Sequence, residues 1–303
     1  MPDSQLIRFD RFMENALYGP RGYYTSQRPI LGARGDFTTT PKLTTALAAR
    51  LAAWIIEAWK RQGQKLSVIE LGPGDGTLAR DIRKHLGFLN RRKLDYHLVE
   101  ISPHLCERQK NALQGKGHWH LTLEEALRTV DYQALIISNE FFDAFPVRIF
   151  RETGEELFLD HERRENWQVS NALPDSNLFE SPPQRFEVSE SIQEFYRDQL
   201  SQWTRGEMLA IDYGGDAEEI YHRRPLGTLR AYFQHQRLPP PEAYQNAGHQ
   251  DLTFDIHFPD LIRWGNQIGL ETKSLITQAE FLGTDDTEGA GGAFKVLHQI
   301  RKP

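Results

Sequence analysis

Apolar positions in this chain switch between runs of strand length and helical spacing, and each switch marks an element. Leu66, Val68, Ile69 and Leu71 form an apolar run, and Leu78, Ile82 and Leu86 follow at helical spacing. Gly72, Gly74 and Gly76 lie between them, which predicts a buried strand, a tight glycine turn and a helix start. The alternation continues. Residues 96–101 read as a second strand, Ser102-Pro103 as an N-cap and first helical residue, and Leu105, Gln109 and Leu113 as a helix face. Residues 119–121 predict a short third strand, 124–127 a short helix, and 134–140 a buried fourth strand ending in Asn139 and Glu140. Residues 208–213 predict a fifth strand, 258–268 a helix, and 270–276 with 294–300 an antiparallel pair closing the sheet. Strands alternating with helices predict an α/β, Rossmann-like parallel sheet.

The flanking segments read differently. Residues 4–17 look helical, with Leu6, Phe9, Phe12, Met13 and Leu17 on one side. Thr40-Pro41 starts a second helix whose apolar face is Leu43, Leu47, Leu51, Trp54, Ile55 and Ala58. Residues 18–40, with Tyr23, Tyr24, Phe37 and several glycines, are either an ordinary loop or a lid over a ligand. Residues 147–150 and 156–159 alternate about Gly154 like a hairpin, 167–169 suggest a further strand, and Asp175 to Pro183 a polar loop. Ile192, Phe195, Tyr196, Leu200 and Trp203 mark a helix. Residues 223–242, rich in proline and basic residues, suggest a surface loop carrying Arg230, His235 and Arg237 as solvated charge. Gly289 to Gly292 reads as a flexible connection. The expected organisation is a helical N-terminal lid region over 1–62 and a Rossmann-like domain over 63–303, with a β-hairpin/helix insertion at about 147–205.

The glycine turn suggests a nucleotide-like ligand at the strand's carboxyl end. No lysine follows the glycines as a phosphate-binding loop requires, and Thr77 stands where a dinucleotide loop needs its last glycine. Glu70 and Asp75 flank the turn and would repel a pyrophosphate but attract a cation. An opposite unit charge at ~4 Å is worth roughly 4 kcal/mol at an effective dielectric near 20, before desolvation. S-adenosylmethionine, with a sulfonium, an ammonium and no phosphate, fits that charge pattern. Gly72, Pro73 and Gly74 with Glu70 are therefore candidates for its methionine part. Glu100, followed by Ile101, is placed to accept ribose hydroxyl protons, a device that nicotinamide enzymes share. Residues around His120 would lie near the adenine. The plain alternatives are a packing turn and a strand-end carboxylate.

Asn139, Glu140 and Asp143 fall at the carboxyl end of the fourth strand, where open α/β sheets carry their chemistry. Asn139 is expected near the methyl donor. Glu140 and Asp143 could grip a cationic nitrogen or accept its proton, or they could be a helix cap and a solvated charge. His118 and His120 alternate on one strand face, but with no Cys and no clear third ligand nearby no metal site is expected. The 303 residues carry a net charge of −6, unlike a general nucleic-acid binder. The single Cys106 excludes a disulfide framework within the chain and reads as a small buried residue. No apolar run approaches the length of a membrane span, and the N-terminal residues resemble neither a signal nor a transit peptide, so a soluble, cytoplasmic protein is expected.

Glu70-Leu71-Gly72-Pro73-Gly74 with Gly76-Thr77-Leu78, Val99-Glu100 and Asn139-Glu140-Phe141-Phe142-Asp143-Ala144-Phe145-Pro146 resemble the MidA family. Gly22-Tyr23-Tyr24-Thr25, Gly35-Asp36-Phe37, Ile211-Asp212-Tyr213-Gly214, Gly227-Thr228-Leu229-Arg230-Ala231-Tyr232 and Gln250-Asp251-Leu252-Thr253 are similar to further family signatures, in the family's order. The resemblance implies a class I S-adenosylmethionine-dependent methyltransferase. It implies a protein substrate of unknown identity, with an arginine side chain favoured, because the family includes a mitochondrial complex I assembly methyltransferase acting on a protein arginine. The chain departs from the family pattern at Asp75, where Arg is usual, and at Pro41-Lys42 and Ala48-Ala49, where the family carries acids. A small-molecule N- or O-methyltransferase and a non-catalytic assembly factor are the alternatives. Oligomeric state is not legible.

Overall fold

The computed structural model describes residues 6–26, 41–170, 184–233, 236–284 and 290–302. The stretch around Gly35-Asp36-Phe37, the polar loop at 175–183, His235 and Gly289 lie outside the described residues. The chain divides into two compact units. One comprises Thr38–Phe141, Glu194–Gly214 and Phe258–Pro303, the other Met1–Phe37, Phe142–Gln193 and Gly215–His257.

The first of these units is the α/β sheet. Its elements are α1 (Pro41–Gln62), β1 (Ser67–Leu71), α2 (Thr77–His85), β2 (Tyr96–Val99), α3 (Pro103–Leu113), β3 (His118–His120), α4 (Leu123–Thr129), β4 (Gln133–Asn139), β5 (Arg205–Gly215), α5 (Phe258–Gln267), β6 (Glu271–Thr277) and β7 (Phe294–Arg301). The strands lie in the order β3-β2-β1-β4-β5-β7-β6. β3, β2, β1, β4 and β5 are mutually parallel, and β7 runs antiparallel to both β5 and β6. The order reverses between β1 and β4, with Leu71 level with Val99 of β2 on one side and Ser138 of β4 on the other. A crevice opens at such a reversal, beyond the strands' carboxyl ends. These strands are buried on both faces, which is why they appear as continuous apolar runs rather than alternating ones.

Helix α1 covers one face. Leu47, Leu51, Trp54, Ile55 and Ala58, the face expected from the sequence, are buried with Ala48 and Trp59 in one cluster with Val68, Leu135, Ile137, Leu209 and Ile211 of the sheet. Each fully buried leucine or isoleucine contributes about 1.5–3 kcal/mol by leaving water. The Trp59 indole N–H donates to the Leu66 carbonyl at 2.8 Å and so ties the helix end to the entry of β1.

The other unit holds helix Phe9–Tyr18 and two antiparallel sheets. The helix begins later than the apolar pattern suggests. Ile7 and Arg8 are extended because they pair with Leu159 and Phe158, a distant partner that local periodicity does not reveal. The expected hairpin forms from Arg148–Arg151 and Glu155–Leu159, and Glu165–Val169 and Arg185–Val188 extend it. The surface loop expected over 223–242 is corrected. Arg230–Phe233 is a strand between Gln236–Leu238 and Asp251–Thr253, and Arg230 is buried and paired with Asp255 at 2.5 Å instead of solvated. The helix expected through Trp203 stops at Asp198 and gives way to a tighter turn at Leu200–Gln202. The expected connection at Gly289 to Gly292 includes a short helical turn, Ala290–Ala293. Among the described residues, no helix is long and apolar enough to cross a membrane.

Glu207 of β5 anchors the foot of α1. It is buried and accepts hydrogen bonds from Arg61 at 3.0 and 2.7 Å, from Gln62 at 3.3 Å and from His298 at 3.0 Å. Burial alone would raise its pKa, but the bonds from His298, Arg61 and Gln62 outweigh it and hold the carboxyl at about 2. Because the folded pKa is depressed, this contribution is complete above about 4.5 and is lost as pH falls through about 2. Glu207→Gln is therefore expected to melt well below the wild type at pH 6, with the gap narrowing as pH drops from 4.5 towards 2 in parallel thermal melts. A pH-independent gap would contradict this account.

Candidate active site

The loop after β1 takes its shape from three left-handed glycines, with φ of 59° at Gly72, 56° at Gly74 and 81° at Gly76. Space as well as φ demands glycine at two of them. A Cβ on Gly72 would lie 2.8 Å from the Phe141 ring, and one on Gly76 would lie 3.0 Å from the Gln109 Cα. The Gly72 N–H donates to Val99 O at 3.1 Å, and Gly76 N–H to Pro73 O at 2.9 Å. The loop thereby folds back over the end of β2. Asp75 accepts the Thr77 N–H at 2.9 Å, satisfying one of the orphan donors at the start of α2, and stands 3.9 Å from Arg108.

Glu70 is the residue before the last of β1. It is 2% exposed and accepts the Tyr96 hydroxyl proton at 2.8 Å. Burial pushes its carboxyl up to about 7, with Tyr96 opposing the rise and Asp75 adding to it. Glu100, just beyond β2, is also pushed up to about 7 by burial, against the hydrogen bonds from the Ser102 N–H at 2.8 Å and Gln109 Nε2 at 3.1 Å. Its own N–H donates to His120 O at 3.0 Å, which fixes the end of β3 beside it. The His120 ring lies on His97, with centroids 5.1 Å apart, and burial lowers its pKa. Ile101 is exposed at the same strand end, as is Leu121 beyond β3.

Gln109 joins these parts, a role that periodicity alone could not assign. Its carboxamide donates to Gly74 O at 2.7 Å and to Glu100 Oε2, and its oxygen accepts the Trp119 indole N–H at 2.9 Å. The signal in the sequence was a polar residue within the apolar stripe of Leu105 and Leu113. Cys106, expected to be buried, is only half-buried, with its thiol 3.8 Å from Glu100 O.

At the end of β4, Asn139 pairs in register with Ile211 of β5, and Glu140 follows with φ of 51°. Left-handed backbone is uncommon outside glycine and gathers at functional sites. It is held here by the Glu140 N–H donating to Ile211 O at 2.9 Å, and Asn139 Nδ2 donates to Glu140 Oε1 at 3.3 Å. Phe141, packed against Gly72, brings the β1 loop and the Asn139–Glu140 turn to the same end of the sheet. Asp143 belongs to the other unit. It is buried in the turn Phe142–Ala144, and its carbonyl accepts the Phe254 N–H at 3.3 Å.

Residues 50–276 match a family model described as "Putative S-adenosyl-L-methionine-dependent methyltransferase". The chain is 29% identical over 319 residues to the zebrafish (Danio rerio) protein arginine methyltransferase NDUFAF7, mitochondrial, covering 91% of this chain and 72% of that one. It is 25% identical over 280 residues to the Caenorhabditis elegans homolog (80% of this chain, 63% of that one) and 27% identical over 290 residues to the Drosophila melanogaster homolog (82% and 64%). The chain thus spans a little under two thirds of the length of the nematode and fly proteins. A Burkholderia thailandensis protein solved bound to S-adenosyl-homocysteine superposes with a TM-score of 0.82 at 25% identity, covering 98% of this chain and 88% of that one.

Two outcomes follow from the geometry. Gln109→Leu, of similar shape, strips donors from Gly74 O and Glu100, and each buried group left unsatisfied costs about 1–3 kcal/mol. Urea unfolding should show a loss of that order; a near-neutral result would mean that water replaces the carboxamide. Glu70 keeps near pH 7 a proton that the unfolded chain releases above about 4.5, so its contribution to stability is lost as pH rises from about 4.5 through about 7. Glu70→Gln should therefore gain on the wild type in melting temperature between pH 5 and pH 8.

Proposed function

The chain belongs to the MidA family of S-adenosyl-L-methionine-dependent methyltransferases, and from that premise we propose that it transfers a methyl group from S-adenosylmethionine to a nitrogen of a protein substrate. The observation that carries this reading is the joined loop and strand end, Gly72-Pro73-Gly74 bonded through Gln109 to Glu100. In this reading Glu70, Gly72, Pro73 and Gly74 face the methionine part of the cofactor. Glu100 has acceptor capacity beyond its bonds to Ser102 and Gln109, since a carboxylate offers about four lone-pair sites. Two ribose hydroxyls can use it. Ile101 and His120 border the adenine, and Asn139 lies near the methyl group. When bound, S-adenosylmethionine supplies an electrophilic methyl whose transfer leaves S-adenosylhomocysteine.

This chain's residues would position the acceptor and take its proton. Glu140 orients the attacking nitrogen and receives the proton that leaves it. An arginine side chain is the favoured acceptor because the animal relatives are named protein arginine methyltransferases, and a guanidinium matches a carboxylate's paired oxygens. A cytoplasmic location is carried as part of the proposal; those relatives are named mitochondrial.

The test is calorimetric titration of the purified protein with S-adenosylmethionine, with NAD in parallel, alongside methyl transfer to candidate proteins. Binding of the methyl donor alone, abolished by Glu100→Ala, is expected. Glu140→Gln should keep that affinity and lose about 10²- to 10⁴-fold in transfer, the usual worth of a positioned general base. Unchanged turnover with weakened cofactor binding would remove Glu140 from the chemistry. Binding of NAD instead would overturn the whole reading.

A further inference from the structure

Asp95, His97 and His118 meet at the amino end of β2 and β3. Two histidines on β3 offered too few ligands from sequence alone, but β2 supplies the others. His97 and His118 are partners in the parallel register of β2 and β3, and Asp95 stands two residues before His97 at the entry of β2. Each residue offers one ligand atom, and the three atoms lie within 4.8 Å of one another. His97 Nε2 is 3.0 Å from Asp95 Oδ2, and His118 Nε2 is 3.3 Å from Asp95 Oδ1. Ligand atoms bound tetrahedrally at about 2.0–2.1 Å from zinc stand about 3.3 Å apart. To reach that spacing with both lone pairs aimed at one ion, the exposed His118 ring turns out of its stack on His97, where the planes now lie 27° apart.

The supporting bonds also have the form of a metal centre. A metal-bound histidine is usually oriented by a partner on its other ring nitrogen, and a metal-bound carboxylate by a further donor. His97 Nδ1 lies 2.9 Å from His120 Nε2, and its ring is stacked between those of His118 and His120 at 4.8 and 5.1 Å. The Ser67 hydroxyl donates to Asp95 Oδ2 at 2.7 Å. His97 is buried and so fixed in place, while the His118 and Asp95 side chains are 63% and 48% exposed, leaving water access to a fourth position. Two imidazoles and one carboxylate suit zinc and are a poor set for magnesium, which prefers oxygen ligands.

We propose that Asp95, His97 and His118 form a zinc-binding site that clamps the edge strand β3 to β2. The site is independent of the methyl-transfer reading, and its test does not involve methyl transfer. Tag-free full-length protein, stripped with a chelator and dialysed, is titrated with zinc chloride by calorimetry and by competition with a chromophoric indicator. One zinc per chain is expected, together with a zinc-dependent rise in melting temperature. His118→Ala and Asp95→Asn, both at exposed positions, should fold normally by circular dichroism, bind zinc at least tenfold more weakly and lose the thermal shift. X-ray absorption of the zinc-loaded protein should report a shell of nitrogen and oxygen containing two imidazoles. The proposal is overturned by the absence of stoichiometric binding, by unchanged affinity in both variants, or by equal binding of magnesium.

Discussion

A single buried carboxamide, that of Gln109, holds three separate pieces of chain at the carboxyl end of the sheet. It spans from the glycine loop after β1, through the acid after β2, to the indole on β3. Each of those groups is buried or partly so and would lose its partner with the amide, so their positions depend on one another. This dependence explains why α3 must approach so closely that Gly76 leaves no room for a side chain. It also explains how Glu100, deep enough to be pushed up to about 7, is kept aimed by two donors instead of turning to solvent. The strand order brings the pieces near one another, and the amide fixes their geometry.

Much of this was legible in the amino-acid pattern. The parallel strands announced themselves as short apolar runs, and the reversal of strand order put Gly72, Glu100 and Glu140 at strand ends as expected. What periodicity could not carry were partnerships between residues far apart in sequence. Arg230 looked like surface charge because its partner Asp255 lies in a different segment. Ile7 and Arg8 looked helical because their strand partners lie about 150 residues away. Gln109 looked like an ordinary helical residue until Gly74 and Trp119 were seen on either side of it. Asp95 and His97 carry no local signal that joins them to His118, because only strand register sets them against it.

The buried acids illustrate how environment, not residue type, sets behaviour. Glu70 and Glu207 are both nearly inaccessible, yet one carboxyl sits at about 7 and the other at about 2. A lone tyrosine hydroxyl cannot offset the cost of burying the charge of Glu70, whereas Arg61, Gln62 and His298 together more than offset it for Glu207. The first acid changes its charge near neutral pH; the second is an anion at the foot of a helix down to about pH 2. In the other unit, buried Glu187 takes a third course, accepting the Thr228 and Leu229 N–H groups and the Thr228 and Tyr221 hydroxyls.

The placement of β7 also governs the order in which the sheet can be completed. This strand is the last in the sheet along the chain, yet it lies between β5 and β6, both of which precede it. Until residues 294–301 are in place, Gly206 to Tyr213 of β5 lack the antiparallel partners they have in β7, and β6 lacks its neighbour. An open edge of that kind invites pairing with other chains. A chain lacking β7 would thus carry an unfinished sheet with the long strand β5 uncovered along much of one side, so the placing of this one strand decides whether the sheet closes.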